Sequence, residues 1–223
     1  MIPIVVMCGG RGLRLHPLTE NRPKPMLKVG GRPILEQIID GFSGQGFKKF
    51  WLCINYKGDL IEKHFGNGES RGIKVRYLHE TEPLGTAGAL GLLPKPDTPF
   101  IVSNGDVLAK VNYGNLMEFH ARSGAGLTMC VALHQYQVPY GVAEIGEDRL
   151  TDLKEKPIES WAVNAGIYVL EQSVLDKAVP LGYLDMPDLI KRVESVAVYQ
   201  IEGFWCDTGT FQDLTRANQA WEP

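Results

Sequence analysis

A glycine-rich segment near the start of the chain has the composition of a phosphate-binding turn. The apolar run Pro3 to Met7 breaks there into Cys8-Gly9-Gly10-Arg11-Gly12-Leu13-Arg14-Leu15. Glycines let a backbone approach a ligand closely and point N–H groups at phosphate oxygens. The segment matches neither the GxGxxG dinucleotide pattern nor the Walker A pattern. Two interpretations stay open: a phosphate cradle formed by Gly9, Gly10 and Gly12, and a purely structural turn.

The stretch that follows supplies several cations within one loop. Arg14, Arg22 and Lys24 lie close together in the sequence, and prolines restrict the backbone around them. Guanidinium and ammonium groups held beside a glycine turn suit a polyphosphate. This continuation favours the phosphate cradle.

Two aspartates could supply ligands for a metal. Asp106 follows the apolar run Pro99 to Ser103, and the carboxyl end of such a strand faces the ligand crevice in an open parallel sheet. Asp207 lies much later, in Trp205-Cys206-Asp207-Thr208-Gly209. From the residues alone, two carboxylates this far apart are better interpreted as separate surface residues.

A third polar group surrounds the pair Glu155-Lys156. Tyr140-Gly141 precedes this pair and Asn164-Ala165-Gly166 follows it. A charged pair at a strand end is most often a solvated edge, so that interpretation stays open beside a ligand-binding one.

The elements that must position these residues alternate between strand and helix in the first half of the chain. The second half has more strands and fewer helices between them. We therefore predict an α/β fold, a three-layer α/β/α sandwich with a Rossmann-like, mainly parallel mixed sheet and inserted antiparallel strands in the second half. The predicted strands are 3–7, 49–54, 73–78, 99–103, 127–134, 141–145, 149–153, 164–170 and 195–201. The predicted helices are 33–42, 59–65, 86–93, 113–121, 173–178, 186–193 and 210–221.

Composition excludes several classes of protein. The 223 residues are 44% hydrophobic and 22% charged with a formal charge of -3, as in an ordinary globular domain. Without a Lys/Arg cluster we expect no nucleic-acid partner. Without a long apolar run we expect no membrane segment. The N-terminus lacks a signal-peptide pattern, and the four cysteines fit a reducing compartment as buried side chains, so we expect a cytoplasmic protein.

The stretch from Gly9 to Thr19, followed by Pro23-Lys24-Pro25-Met26, resembles the signature of the sugar-1-phosphate nucleotidylyltransferases. These enzymes transfer a nucleoside monophosphate from a nucleoside triphosphate (NTP) to a sugar 1-phosphate and release pyrophosphate. The resemblance implies that Arg14 grips the departing β- and γ-phosphates and that Lys24 steadies the transition state. Leu13 stands where the family usually has Thr, so the backbone must replace any contact from that hydroxyl.

The same resemblance implies a Mg²⁺ cofactor. Asp106 and Asp207 match the two Mg²⁺-binding aspartates of the family, which reverses the interpretation drawn from the residues alone. Magnesium prefers few carboxylates together with phosphate oxygens. Asp106 therefore joins Arg14 and Lys24 among the expected catalytic residues.

The resemblance also assigns a sugar-phosphate site. It implies that Lys156 binds the sugar phosphate, that Glu155 and Asn164 bind sugar hydroxyls, and that the backbone of Gly141 touches the sugar, with Tyr140 beside it. The sugar stays open between mannose, glucosamine and heptose. We expect a single domain, 1–223, with a nucleotide-binding half, 1–125, and a sugar-phosphate-binding half, 126–223.

The loop from His79 to Gly88 corresponds to the base-reading loop of the family, and its sequence most resembles that of mannose-1-phosphate guanylyltransferases. Glu80 stands where thymidylyl- and uridylyltransferases commonly have Gln. A carboxylate only accepts hydrogen bonds, and guanine offers two adjacent donors, so we predict GTP as the donor. Gly85 and Thr86 are expected to contact the nucleotide. The alternatives are a surface role for Glu80 and a uridylyl- or thymidylyltransferase.

Two further classes of protein are alternatives to this enzyme. A glycosyltransferase would need an Asp-x-Asp metal motif, which the sequence lacks. A non-catalytic module that binds sugar nucleotides stays open. Relatives commonly form dimers or tetramers and sometimes carry an N-terminal regulatory module, so a homo-oligomer and such a module in a longer chain stay open too.

Overall fold

The computed structural model describes residues 2–179 and 181–221. The strands are β1 (Pro3–Met7), β2 (Lys28–Val29), β3 (Arg32–Pro33), β4 (Lys49–Ile54), β5 (Lys74–His79), β6 (Phe100–Asn104), β7 (Val107–Ala109), β8 (Leu127–Gln137), β9 (Gly141–Gly146), β10 (Arg149–Glu155), β11 (Ile158–Leu170), β12 (Val196–Gln200) and β13 (Trp205–Asp207). The α-helices are α1 (Ile34–Ser43), α2 (Gly58–Phe65), α3 (Tyr113–Ser123), α4 (Gln172–Ala178), α5 (Met186–Arg192) and α6 (Phe211–Ala220).

A seven-stranded sheet organises the molecule in the order β12-β8-β11-β6-β1-β4-β5. The neighbours β6, β1, β4 and β5 are parallel. Strand β11 is antiparallel to both β6 and β8, whereas β12 is parallel to β8. Within the described chain, β11 alone runs against the other strands of this sheet, so the predicted mainly parallel mixed sheet is confirmed.

Helices cover both faces of the sheet. On β4, Phe50 and Leu52 point into a core shared with α1, α2, α3 and α6, while Cys53 belongs to the core on the opposite face. That second core contains residues of α4, α5 and the short helix Gly88–Leu92. This alternation is what a strand buried on both sides requires, and it confirms the three-layer α/β/α sandwich.

Several elements differ from the prediction. The short strands β2, β3, β7 and β13 were not predicted. The helix expected over 86–93 is a short 3₁₀ helix, Gly88–Leu92, because the residues before it pair with the backbone of Leu184. Strand β11 begins at Ile158, and its outer part pairs with β8 as an exposed arm. Strand β12 pairs in parallel, although the second half was expected to be antiparallel.

The four cysteines are buried and free, as predicted. Burial raises the pKa of the Cys130 thiol to about 12, so this thiol stays protonated. Among the described helices, none has the length and apolar character needed to cross a membrane.

Candidate active site

A cavity of about 480 Å³ opens at the carboxyl ends of β1 and β6. Ligands of open α/β sheets bind in this position. The lining includes residues 7–14, Lys24, Pro25, Asn55, Pro83, Gly105, Asp106 and Gly209.

The glycine-rich turn forms one wall of this cavity. Gly12 adopts φ +64°, and a Cβ there would lie 2.9 Å from Thr19 Cγ2, so glycine is required on both counts. The Thr19 hydroxyl donates to the Gly12 carbonyl at 3.0 Å and fixes the end of the turn. Gly10, in contrast, has open space where a Cβ would stand. A hydrogen bond therefore fixes the turn at Gly12, whereas the space beside Gly10 is free.

Lys24 lies beneath this turn and is only 7% exposed. It begins a short 3₁₀ helix, Lys24–Met26, and its ammonium forms an ion pair with Asp106. The same Nζ lies 3.6 Å from Asp207 Oδ1. The structure thus brings together three of the predicted residues, and the two carboxylates supply the partners that a buried ammonium needs.

The two aspartates meet because β13 pairs antiparallel with β7, with Asp207 opposite Val107. Thr208 then donates its N–H and its hydroxyl to the Asp106 carbonyl, at 3.0 and 2.8 Å. Asp106 itself follows the central strand β6. The interpretation of these aspartates as separate surface residues is therefore not supported by the geometry.

The charge balance at this pair leaves Asp207 poorly satisfied. Burial raises the pKa of the Asp207 carboxyl, the Asp106 charge raises it further, and Lys24 counteracts both. Asp207 Oδ1 is buried without a hydrogen-bond partner among the described residues. Two facing carboxylates with an unsatisfied oxygen have the donor chemistry that Mg²⁺ prefers, so Asp106 and Asp207 fit the predicted metal site.

Arg14 lies near Asp207, and Gly209 stands beside both side chains. A Cβ at Gly209 would lie 3.1 Å from Arg14 Nη2 and 3.0 Å from Asp207 Oδ1, so glycine leaves room for both groups. Arg14 is exposed and lines the cavity, where a ligand can reach it. Arg22 instead lines a separate depression beside Leu214.

Glu80 follows β5 and folds back against the glycine-rich turn. Its Oε2 accepts from the Leu84 N–H at 3.2 Å, and a methyl group at Gly9 would overlap its Oε1. The Asn55 amide donates to the Glu80 carbonyl at 2.9 Å and holds the backbone. Burial raises the pKa of the Glu80 carboxyl, and the hydrogen bond from Leu84 partly offsets this. The structure therefore places the Glu80 carboxylate beside Gly9 of the glycine-rich turn.

Gly85 and Thr86 lie farther from the cavity than expected. Thr86 donates its N–H and its hydroxyl to Asp185 Oδ1, at 3.0 and 3.1 Å. Gly85 adopts φ +77°, and a Cβ there would lie 2.6 Å from the Leu184 carbonyl. The loop reaches the cavity through Pro83.

Four of the predicted sugar-phosphate residues lie together at the base of the β9–β10 hairpin. Gly141 is the register partner of Glu155, and the Lys156 N–H donates to the Tyr140 carbonyl at 3.3 Å. Lys156 adopts φ +46°, a left-handed conformation that is uncommon outside glycine. All four residues are exposed.

Asn164 lies farther along β11, where the pairing of this strand with β8 is irregular. Its Oδ1 accepts from the Gly166 N–H at 3.0 Å, and a Cβ at Gly166 would lie 2.6 Å from Asn104 Nδ2. The Trp205 indole donates to the Ala165 carbonyl at 2.9 Å, which ties this irregular stretch to β13. The stretch that contains Asn164 therefore contacts β6, which precedes Asp106, and β13, which ends at Asp207.

The comparisons with known proteins agree with this arrangement. From residue 4 to residue 222, the sequence matches the family described as nucleotidyl transferase. The chain belongs to the nucleotidyl transferase family.

Curated relatives match this chain in sequence, and solved structures match it in fold. A mannose-1-phosphate guanyltransferase of Yarrowia lipolytica is 35% identical over 223 residues, which cover 94% of this chain and 61% of the relative. The chain thus spans about three fifths of the length of the curated relatives it matches. HddC of Yersinia pseudotuberculosis, solved with GMP-PN, superposes with a TM-score of 0.78 at 24% identity and full coverage of both chains. A Bacillus anthracis protein provisionally named a glucose-1-phosphate thymidylyltransferase superposes with a TM-score of 0.76 at 24% identity. The match covers 98% of this chain and 94% of that protein.

Sequence reasoning missed several residues of this nucleotidyl transferase site. Asn55 and Thr208 act through hydrogen bonds to main-chain carbonyls, and Gly209 acts by leaving space. Thr208 and Gly209 stand directly after Asp207, so their place beside this predicted residue was the one feature of the sequence that could have indicated them. Nothing in the sequence around Asn55 marks it, apart from its place at the end of a predicted strand.

Proposed function

We propose that this chain transfers a nucleoside monophosphate from an NTP, preferably GTP, to a sugar 1-phosphate and releases pyrophosphate. The observation that carries this proposal is the contact of Lys24 with both Asp106 and Asp207 beneath the glycine-rich turn. A buried cation between two carboxylates, next to open backbone N–H groups, is a site for a polyphosphate and its counter-ion. The family and the names of the relatives support the same reaction.

The reaction is an in-line displacement in which an oxygen of the sugar 1-phosphate attacks the α-phosphorus. Pyrophosphate leaves on the opposite side, and no protein nucleophile takes part. Arg14 holds the departing phosphates, while the N–H groups of Gly9 and Gly10 hold the triphosphate. Lys24 offsets the charge that develops as the bond to pyrophosphate breaks.

Asp106 and Asp207 would hold Mg²⁺. The ion, when bound, neutralises negative charge on the phosphate oxygens and so favours displacement. Asp207 Oδ1 supports this role, because it is buried and has no hydrogen-bond partner among the residues described. The ammonium of Lys24 would remain beside the same pair and share that charge.

The sugar 1-phosphate binds between the β9–β10 hairpin and the aspartate pair. Lys156 attracts the phosphate, Glu155 accepts from the sugar hydroxyls, and Asn164 accepts from or donates to them. Tyr140 and the backbone of Gly141 pack against the sugar ring. The division into a nucleotide-binding half, 1–125, and a sugar-phosphate-binding half, 126–223, follows from these assignments. Four free, buried cysteines support a reducing compartment, the cytoplasm.

Glu80 selects guanine in this proposal. Its carboxylate can only accept, which suits the N1–H and 2-amino donors of guanine and repels the carbonyls of uracil. Its place against Gly9 supports this role. The guanyltransferase relatives and the complex of HddC with GMP-PN also support guanine.

The test is pyrophosphate release with Mg²⁺, with GTP, UTP, dTTP, CTP and ATP each combined with a panel of sugar 1-phosphates. We expect turnover mainly with GTP, and a Glu80→Gln variant that loses most of that preference. Turnover with UTP or dTTP alone would contradict the assignment of Glu80 while retaining the reaction. Binding of nucleotides without pyrophosphate release in any pair would contradict the enzymatic function and favour a binding module.

A further inference from the structure

We infer that the segment Gly182–Met186 positions the base-reading loop Glu80–Gly88, with Asp185 as the positioning residue that sustains nucleotide selection. The inference rests on the proposed function, because it assigns base reading to Glu80. It adds a residue from the sugar-binding half of the chain to the selection of the nucleotide. Three sets of contacts carry it.

The first set joins the two backbones. The Leu184 N–H donates to the Leu84 carbonyl at 2.9 Å, and the Leu184 carbonyl accepts from Ala87 and Gly88 at 2.9 and 3.0 Å. Gly88 also has no room for a side chain, because a Cβ there would overlap the Gly182 carbonyl. The loop and the segment therefore dock closely along their main chains.

The second set centres on the Asp185 carboxylate. Its Oδ1 accepts from both the N–H and the hydroxyl of Thr86, and its Oδ2 accepts from the Tyr183 hydroxyl at 2.7 Å. The Met186 N–H donates in return to the Thr86 hydroxyl at 2.7 Å. Each oxygen of Asp185 thus has a donor, and charge-assisted bonds of this kind are the stronger ones.

The third set connects the segment to the base-reading carboxylate. Leu84 accepts from Leu184 through its carbonyl and donates through its N–H to Glu80 Oε2 at 3.2 Å. The other carboxylate oxygen of Glu80 rests against Gly9 at the cavity. The hydrogen bonds of the Leu84 peptide thus connect Leu184 to the Glu80 carboxylate, and a shift of Leu184 would be passed along them.

The Asp185 contacts lie near the surface, so a substitution at Asp185 can remove them without disturbing the core. Thr86 and Tyr183 are exposed and Asp185 is half-buried, whereas Leu84 and Leu184 are buried. Loss of the carboxylate should release the loop locally, while the buried leucines keep the fold intact.

The experiment compares Asp185→Ala, Asp185→Asn and the control Asp188→Ala. Asp188 lies in α5, the helix that Asp185 directly precedes, but its carboxylate pairs with Lys191. With Asp185→Ala we expect the KM for GTP to rise about tenfold and the GTP-over-UTP preference to fall about tenfold, as loss of a charge-assisted bond allows. The KM for the sugar 1-phosphate should stay unchanged. Asp185→Asn keeps an acceptor for Thr86 and should restore most of the preference.

Amide hydrogen exchange gives a second reading that needs no turnover. The N–H groups of Thr86, Ala87 and Gly88 should exchange about tenfold faster in Asp185→Ala than in the wild type or in Asp188→Ala. Unchanged exchange together with an unchanged GTP preference would overturn the inference. A rise in the KM of both substrates alike would also overturn it, because that pattern indicates a general structural role. If the wild type turns over no nucleotide, the proposed function fails, and exchange alone decides whether Asp185 fixes the loop.

Discussion

Thr208 donates both its backbone N–H and its hydroxyl to the main-chain carbonyl of Asp106, although the two residues are 102 positions apart. Thr208 is fully buried, so water cannot replace either bond. These two bonds hold the loop that carries Asp207 against the loop that carries Asp106. The geometry of the carboxylate pair therefore depends on a residue that touches neither carboxylate.

Thr208→Val tests this dependence. The variant keeps the side-chain shape and the backbone bond but loses the hydroxyl, so we expect a loss of about 1 kcal/mol in the free energy of unfolding. Turnover should fall by about tenfold, because Asp207 is held less firmly. Thr208→Ser keeps the hydroxyl and should retain most turnover. Urea unfolding and steady-state rates measure the two effects, and equal rates in Val and Ser variants would speak against this role.

Lys24→Met removes the ammonium and keeps much of the aliphatic side chain. We expect turnover to fall by about 10² to 10³, the usual effect of losing one electrostatic contact to a transition state. The variant should also unfold at lower urea, because Asp106 and Asp207 then face each other without their shared partner. Lys28→Met, at an exposed lysine, serves as the control. A Lys24→Met enzyme with near wild-type turnover would remove Lys24 from the mechanism.

Asp207→Asn should make the protein more stable and less active. The raised pKa of Asp207 means that the folded protein holds this proton more tightly than the unfolded chain does. Above the ordinary carboxyl pKa, the charge therefore weakens the folded state, and its removal should raise the Tm at pH 7 by a few degrees. Turnover should fall by about 10².

The dependence on pH of the Tm difference between Asp207→Asn and the wild type serves as a control. The difference should shrink as the pH falls through the raised pKa, because the wild-type carboxyl then becomes neutral as well. Differential scanning calorimetry across pH measures this. A variant less stable than the wild type at pH 7 would show that Asp207 supports the fold.

Much of the fold was predictable because burial imposes a period. Strand β4 has the predicted bounds, Lys49 to Ile54, since it is buried on both faces and bordered by polar residues. The outer part of β11, from Ile158, was missed because both of its faces are open to solvent and leave no apolar pattern. The helix expected at 86–93 does not form over that range, because its first residues bind Leu184, a distant partner that local periodicity does not reveal.

The candidate site likewise contains residues that the sequence predicts and residues that only the structure reveals. Lys24 and Asp106 could be found because their residue types carry the chemistry and their motif resembles a known signature. Thr208 and Gly209 were not predicted. Thr208 binds a backbone carbonyl, and Gly209 contributes by having no side chain, so neither residue type indicates its role. Thr86 was expected at the nucleotide, but its hydrogen bonds connect it to Asp185.

Gly9→Ala tests the position of Glu80 without changing its charge. The new methyl group would overlap Glu80 Oε1, the end of a flexible side chain, so the carboxylate should swing aside at little cost to stability. We expect the GTP-over-UTP preference to fall about tenfold, with a nearly unchanged Tm. Gly10→Ala is the matched control, because its methyl group meets open space and should leave the preference intact. If both variants lower the preference equally, Glu80 does not read the base from this position.

Glu80 should also give the preference for GTP a dependence on pH. Burial raises its pKa above 4.5, the ordinary value for glutamic acid, and protonation turns one of its acceptor oxygens into a donor. The kcat/KM for GTP should therefore decline on acidification while the pH is still above 4.5. In Glu80→Gln this decline should be absent, and a profile identical to that of the wild type would assign the titration to another group.

The pairing of β13 with β7 has a consequence for the time at which the enzyme can first act. A ribosome that has finished the Asp106 loop must add about a hundred more residues before Asp207 and Thr208 can join it. At about 5 to 20 residues per second, this takes roughly 5 to 20 s. Throughout that interval the nascent chain displays its glycine-rich turn and Lys24 without the second carboxylate. Under the proposed function, nucleotide chemistry therefore begins only after Asp207 has been made.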